Sequence, residues 1–267
     1  MVCLKSITCV AFILAMTAVA SAQSEESADG HLIVVGGGRL TDQIISRFVE
    51  LAGGSEARLI VIPTASGSPD SDQTIIDRWK KRGIADVQVL HTSKRDEANS
   101  DVFVAPLKEA TAVWISGGLQ SRLAKAYEGT RVEQELKALV HRGCVVGGTS
   151  AGAAIQSPVM IAGSYPIPRM EQGFDLLPGV IIDQHFLARN RMNRLLYAVG
   201  KHPDQIGVGI DESTAIEVHG NRCRVLGEST VTVILGTGIN KPLNILTYQD
   251  GEKFTIGNAE SPAPMSP

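Results

Sequence analysis

The run Val-Val-Gly-Gly-Thr-Ser-Ala-Gly-Ala-Ala, from Val145 to Ala154, carries the strongest chemical signal in the chain. An apolar strand ends at Gly147-Gly148-Thr149-Ser150-Ala151-Gly152 and passes into a helix-prone stretch. Small residues on both sides of Ser150 suit a sharp strand-to-helix turn, where a larger side chain would collide with the backbone. Such a turn lifts a hydroxyl out of the sheet and aims it at a cleft. It also puts the Ala151 amide at the start of a helix, where it can stabilise an oxyanion. Gly-Thr-Ser-Ala-Gly fits the Gly-x-Ser-x-Gly pattern of a nucleophile elbow. The same residues would equally serve a plain tight turn with Ser150 as a helix N-cap.

A nucleophilic serine needs a base, and the base needs an acid to orient it. His185 directly follows the apolar strand of Ile181 and Ile182, at a carboxyl end on the elbow side. It is the base candidate by position. His141 falls on a predicted helix and would face solvent. The acid candidate is Glu212, which ends the strand Gly207-Val208-Gly209-Ile210-Asp211-Glu212. Asp211 is its rival, because sequence cannot separate adjacent carboxylates. Both could instead bind loop amides.

Arg189, Arg191 and Arg194 follow His185 closely. Arg191 and Arg194 share a helix face if a helix begins there. A cation near a helix start opposes the macrodipole and calls for an anionic partner. Arginine forks bind carboxylates bidentately, so the cluster reads as a pocket for a substrate with free carboxylates. Asp183 and Gln184 could complete it, with Asp183 meeting a guanidinium or amine. Gly117-Gly118-Leu119-Gln120 ends another strand beside the elbow. The Gly118 amide is the candidate second oxyanion donor, and Gln120 could bond a substrate amide or carboxylate.

Strands and helices must alternate to hold these residues. Strands are expected at His31 to Val35, Arg58 to Ile62, Val87 to Leu90 and Ala112 to Ile115, then through the elbow. Helices are expected at Asp42 to Ala52, Asp72 to Lys81, Gln120 to Tyr127 and Arg131 to Arg142. This order predicts an α/β fold, a mostly parallel sheet with helices on both faces. Ligands of such sheets bind beyond the carboxyl ends of the strands. The glycine-rich strand ends at Gly36 to Gly38, Gly117-Gly118 and Gly147-Gly148 should therefore meet at one cleft. The C-terminal part turns β-rich, with strands at Ala215 to Val218, Arg222 to Leu226 and Thr230 to Leu235. Asp250-Gly251 between two further short strands predicts a hairpin.

Of 267 residues, 43% are hydrophobic and 20% charged, the balance of one packed domain over residues 31–258. Residues 1–22 read as a secretory signal peptide: Lys5, an apolar run from Ile7 to Ala20, then Ala20-Ser21-Ala22. This places the protein outside the cytoplasm, secreted or periplasmic, without a stable membrane span. Residues 23–30 read as a disordered leader and 259–267 as a Pro-rich tail. Removing Lys5 from 25 basic residues leaves 24 against 28 acidic, a net charge of −4. That balance argues against nucleic acid as a partner. Cys144 and Cys223 remain, free or paired, and no metal-ligand spacing or Walker sequence is present.

Gly148-Thr149-Ser150-Ala151-Gly152, Gly117-Gly118-x-Gln120 and Asp183-Gln184-His185-Phe186-x-x-Arg189-x-Arg191-x-x-Arg194-Leu195 together resemble the cyanophycinase branch of peptidase family S51. Aspartyl dipeptidase E is a more distant branch. The resemblance spans about His31 to Leu235. It implies a sheet like that of the class I glutamine amidotransferases, flavodoxin-like, and a Ser150-His185-Glu212 triad. It implies that Gln120, Asp183, Gln184, Arg189, Arg191 and Arg194 line the substrate pocket. It implies hydrolysis of cyanophycin, an arginine-bearing polyaspartate, to β-Asp-Arg dipeptides, with no metal or other cofactor and often as a homodimer. Leu119, Ile155 and Gln156 depart from the family pattern, at positions that would alter the pocket and leave the triad intact.

Overall fold

The computed structural model describes residues 30–163, 167–235 and 243–256. The expected signal peptide, residues 23–29 of the expected leader and the tail at 259–267 lie outside the described residues. Gly30, which composition groups with the leader, belongs to the domain: it is buried and its N–H donates to the Val140 carbonyl at 2.7 Å.

The first half alternates as expected. Its strands are β1 (His31–Val35), β2 (Arg58–Ile62), β3 (Asp86–Val89), β4 (Ala112–Ile115) and β5 (Val145–Thr149). Its helices are α1 (Asp42–Ala52), α2 (Asp72–Lys80), α3 (Arg95–Ala98), α4 (Asp101–Glu109), α5 (Gln120–Tyr127), α6 (Arg131–His141) and α7 (Ala151–Ala154). Local chemistry sets the limits of α1. Thr41 caps its N-terminus by accepting from the Ile44 amide, and Gly53 ends it at φ 105°. The pattern missed α3 and α4, because α3 is a single turn and Pro106 sits inside α4.

The second half is β6 (Val159–Gly163), β7 (Arg169–Gln172), β8 (Val180–Gln184), α8 (Met192–Lys201) and β9 (Ile206–Ile210). It continues with β10 (Thr214–His219), β11 (Arg222–Gly227), β12 (Val231–Leu235), β13 (Asn244–Tyr248) and β14 (Lys253–Thr255). The main sheet has the order β14-β11-β10-β1-β5-β4-β2-β3. Strands β1 to β5 run parallel, and β10, β11 and β14 add an antiparallel wing.

Two expectations change. Strands β8 and β9, which carry His185 and Glu212 at their ends, do not extend the main sheet. They pair in parallel within a second sheet, β13-β12-β9-β8. Asp250-Gly251 makes a turn but no hairpin: β13 pairs β12 in the second sheet, while β14 pairs β11 in the main one. The turn hands the chain from sheet to sheet, and the Tyr248 and Phe254 rings stack across it at 4.8 Å.

Apolar residues fill both faces of the parallel strands, as buried parallel sheets require. On β1, Leu32 and Val34 face a core shared with α4 to α7 and the inner side of the second sheet. Ile33 and Val35 face α1 and α2, where Phe48, Trp79 and Trp114 pack ring against ring. The outer side of the second sheet is covered by Leu195, Ala198 and Val199 of α8. Helices thus cover both faces of the main sheet, and no helix among the described residues is long and apolar enough to cross a membrane. Cys144 and Cys223 are free thiols, and burial pushes the Cys223 thiol up to about 12.

Candidate active site

Strand β5 lies between β1 and β4, so Ser150 emerges at the middle of the carboxyl edge. Its backbone takes φ 53° and ψ −106°, a strained region for a residue with a Cβ. The room for this turn comes from its glycines. A Cβ on Gly148 would lie 2.2 Å from the Gly152 carbonyl oxygen, and one on Gly152 would lie 2.1 Å from that of Ile115. Ser150 stands at the N-cap position of α7, yet its side chain caps nothing. Its Oγ lies 2.9 Å from His185 Nε2. The elbow arrangement therefore holds, and the N-cap alternative does not.

His185 is buried and also has positive φ, 50°. Its Nδ1 lies 2.6 Å from Glu212 Oε1. The choice left open between Glu212 and Asp211 is resolved by geometry. Asp211 accepts from the Leu187 and Ala188 amides at 3.1 and 2.9 Å and from the Ser229 hydroxyl at 2.8 Å. It braces the loop after His185 while Glu212 holds the imidazole. Burial would raise the Asp211 carboxyl, but these hydrogen bonds hold it below the usual range.

The floor beneath His185 and Glu212 is the Gly36 to Gly38 turn. A Cβ on Gly37, at φ 108°, would lie 2.3 Å from His185 Cε1, so any side chain there would displace the ring. The three glycine-rich strand ends do meet at one cleft. Only the purpose of the first was hidden in the sequence: it makes space for an imidazole.

The Gly118 and Ala151 amides donate to no acceptor among the described residues. Ala151 follows Ser150 in the chain, and Gly118 follows Gly117, where a Cβ would lie 3.5 Å from Ser150 Cβ. Gln120 is half-buried, and its side-chain amide donates to the Ile161 carbonyl at 2.7 Å. It ties the β6–β7 hairpin, which sequence reasoning missed, to the cleft.

The arginine cluster differs from expectation in its helix and in its anion. Helix α8 starts at Met192, so Arg189 lies in the preceding turn and Arg191 at the N-cap. The anionic partner is internal. Asp183 has no exposed surface, and both its oxygens accept from Arg194, one of them at 2.7 Å from Nε. Arg191 stands 3.7 Å from the same carboxylate and donates to the Gln184 backbone carbonyl. The Gln184 side-chain oxygen lies 3.3 Å from both guanidinium groups. Asp183 therefore fixes arginines instead of reaching for a substrate cation. Arg189 is exposed, and its side chain has no hydrogen bond or ion pair among the described residues.

A family model, Peptidase family S51, matches residues 32–226. The chain belongs to peptidase family S51. It is similar to a cyanophycinase of Synechococcus elongatus, 35% identical over 240 residues, 80% of this chain and 74% of that one. It is also similar to a cyanophycinase of Geminocystis herdmanii, 36% identical over 212 residues, 74% of this chain and 76% of that one. Among solved structures it resembles a peptidase from an acI-B1 Actinobacterium, with TM-score 0.64, 24% identity and coverage of 85% and 97% of the two chains. It also resembles a putative peptidase E protein from Listeria monocytogenes EGD-e, with TM-score 0.54, 17% identity and coverage of 75% and 100%. These two likenesses bear on the fold.

Electrostatics in this S51 peptidase favour a neutral His185. Burial lowers its pKa below 6.5, the Glu212 hydrogen bond pulls it back up, and the Arg189 and Arg191 cations lower it again. Burial also lowers the Arg191 guanidinium to about 10, helped by Arg194 and opposed by Asp183. Burial raises the Asp183 carboxyl, against the pull of Arg194 and Arg191.

Two outcomes follow from these charges. Arg189→Gln removes a cation that disfavours imidazolium, so the acid limb of kcat/KM shifts to higher pH; an unmoved limb means Arg189 does not act on His185. Asp183→Ala strands Arg194, whose side chain is only 11% exposed, without its carboxylate. Chemical denaturation should register a loss of about 3–5 kcal/mol, and a loss below about 1 kcal/mol would contradict the pairing.

Proposed function

We propose that the chain is a serine exopeptidase that hydrolyses cyanophycin to β-Asp-Arg dipeptides, acting outside the cytoplasm after removal of residues 1–22. The observation that carries the reading is the chain of hydrogen bonds from Ser150 through His185 to Glu212, set in a domain whose relatives are named cyanophycinase.

The chemistry is acyl transfer. Ser150 Oγ attacks an aspartyl main-chain carbonyl, and its proton passes to His185 Nε2. The Gly118 and Ala151 amides receive the oxyanion. As the C–N bond breaks, His185 returns the proton to the leaving amine. Water then enters by the same proton path and releases the acyl group. Glu212 keeps Nδ1 protonated and stabilises the imidazolium. Arg189, exposed and without a protein anion, is the group placed to grip a substrate carboxylate.

A second reading is hydrolysis of other aspartyl or isoaspartyl peptides. One observation favours it. Asp183 is consumed by Arg194, so the pocket draws no buried carboxylate from that position for a substrate arginine.

The test is incubation of the protein with insoluble cyanophycin beside Ser150→Ala, followed by mass spectrometry of the supernatant. The proposal expects β-Asp-Arg from the wild type and a fall of at least about a thousandfold in the variant. A folded wild type that releases no dipeptide but cleaves short aspartyl peptides establishes the second reading instead.

A further inference from the structure

Gly118 is shaped by a neighbour that takes no part in the chemistry. It adopts φ 142°, and a Cβ there would lie 2.2 Å from the carbonyl oxygen of Ala65, in the loop after β2. That oxygen therefore presses directly on the Gly118 backbone. It is also held from two sides: the Leu119 amide donates to it at 2.9 Å, and Arg122 Nη1 donates to it at 3.1 Å. The Arg122 guanidinium fills the space beside Gly67 as well, where a Cβ would lie 2.9 Å from its nitrogens. No carboxylate pairs with Arg122 among the described residues.

The residue before Ala65 is anchored from below. Thr64 Oγ1 lies 2.7 Å from the buried Tyr127 hydroxyl and 2.9 Å from His91 Nδ1. The Tyr127 hydroxyl also accepts from the Thr92 amide at 3.1 Å. The Ala65 peptide is thus pinned beneath by Thr64 and above by Arg122, and Gly118 rests against it.

We infer that Arg122 is a positioning residue for the oxyanion site: by holding the Ala65 carbonyl, it fixes the Gly118 peptide so that its free N–H points to the oxyanion formed at Ser150. Arg122 touches neither substrate nor reacting atoms in this arrangement. Its effect falls on the tetrahedral state, because the ground-state carbonyl needs the Gly118 donor less than the oxyanion does. The inference rests on Ser150 acting as the nucleophile, and not on the identity of the polymer.

A boronic acid isolates that state. Ser150 Oγ adds to boron, its proton passes to His185, and one oxygen of the anionic boronate occupies the oxyanion position. Phenylboronic acid binding is measured by calorimetry on the wild type, Arg122→Ala and Ser150→Ala, with thermal melting to establish that each is folded. The expected result is a Kd at least fivefold weaker in Arg122→Ala at an unchanged melting temperature, with β-Asp-Arg binding within twofold of the wild type. A boronate Kd less than fivefold changed overturns the inference, as does an equal loss of boronate and dipeptide binding. Wild type that binds boronate through Ser150 but ignores the dipeptide removes the substrate proposal alone, and the boronate comparison still decides the role of Arg122.

Discussion

The hydrogen-bonded chain from Ser150 through His185 to Glu212 depends on a seam between two sheets. Ser150 rises from the main sheet, whereas His185 and Glu212 follow strands of the second one. Neither sheet can build the Ser-His-Glu chain alone. Backbone hydrogen bonds close the seam at this spot: His185 donates its N–H to Gly36 and Ser213 donates to Gly37, while Gly36 is held in the main sheet by donating to Thr214 of β10 at 2.9 Å. Loop Asp211 to Ser213 crosses the seam, and Asp211 clips the loop after His185 to it. The positive φ angles of Ser150, His185 and Ser213 lie along this line. Strain of this kind persists only where surrounding structure over-determines it, and here the packed cores on both sides do so.

Charge is partitioned across the same region. A fully buried carboxylate costs several kcal/mol unless it is paired and hydrogen-bonded, and Asp183 is both. Its two oxygens set Arg194, and Gln184 and the Asp183 carboxylate set Arg191. Arg189 is left outside the network. Two of the arginines are therefore scaffold, and the charge of Arg191, together with that of Arg189, adds to burial in favouring a neutral His185.

Much of this was legible in the sequence because it is local. The elbow needs small residues at fixed offsets, and Gly148-Thr149-Ser150-Ala151-Gly152 declares them. Strand ends at His185 and Glu212 were visible from apolar runs breaking into polar residues. What sequence could not separate was set by long-range packing. Asp211 and Glu212 are neighbours with opposite assignments, because alternate backbone directions at a turn send one to Ser229 and the other to His185. The Asp250-Gly251 turn has hairpin chemistry, yet its flanking strands find better partners in different sheets. Asp183 looked like a ligand for a substrate cation; its complete burial beside Arg194 has no signature in a one-dimensional pattern. The run Gly36 to Gly38 marks a strand end in the sequence, but the reason for Gly37 is the His185 imidazole packed against it.

The most direct test of the Ser150-His185-Glu212 unit is mass spectrometry after reaction with a fluorophosphonate, with the adduct mapped to its residue. One adduct on Ser150 is expected, and a rate about a hundredfold or more slower in His185→Ala, the contribution of a positioned general base. A folded protein that takes no label, takes it on another residue, or labels equally fast without His185 would contradict it.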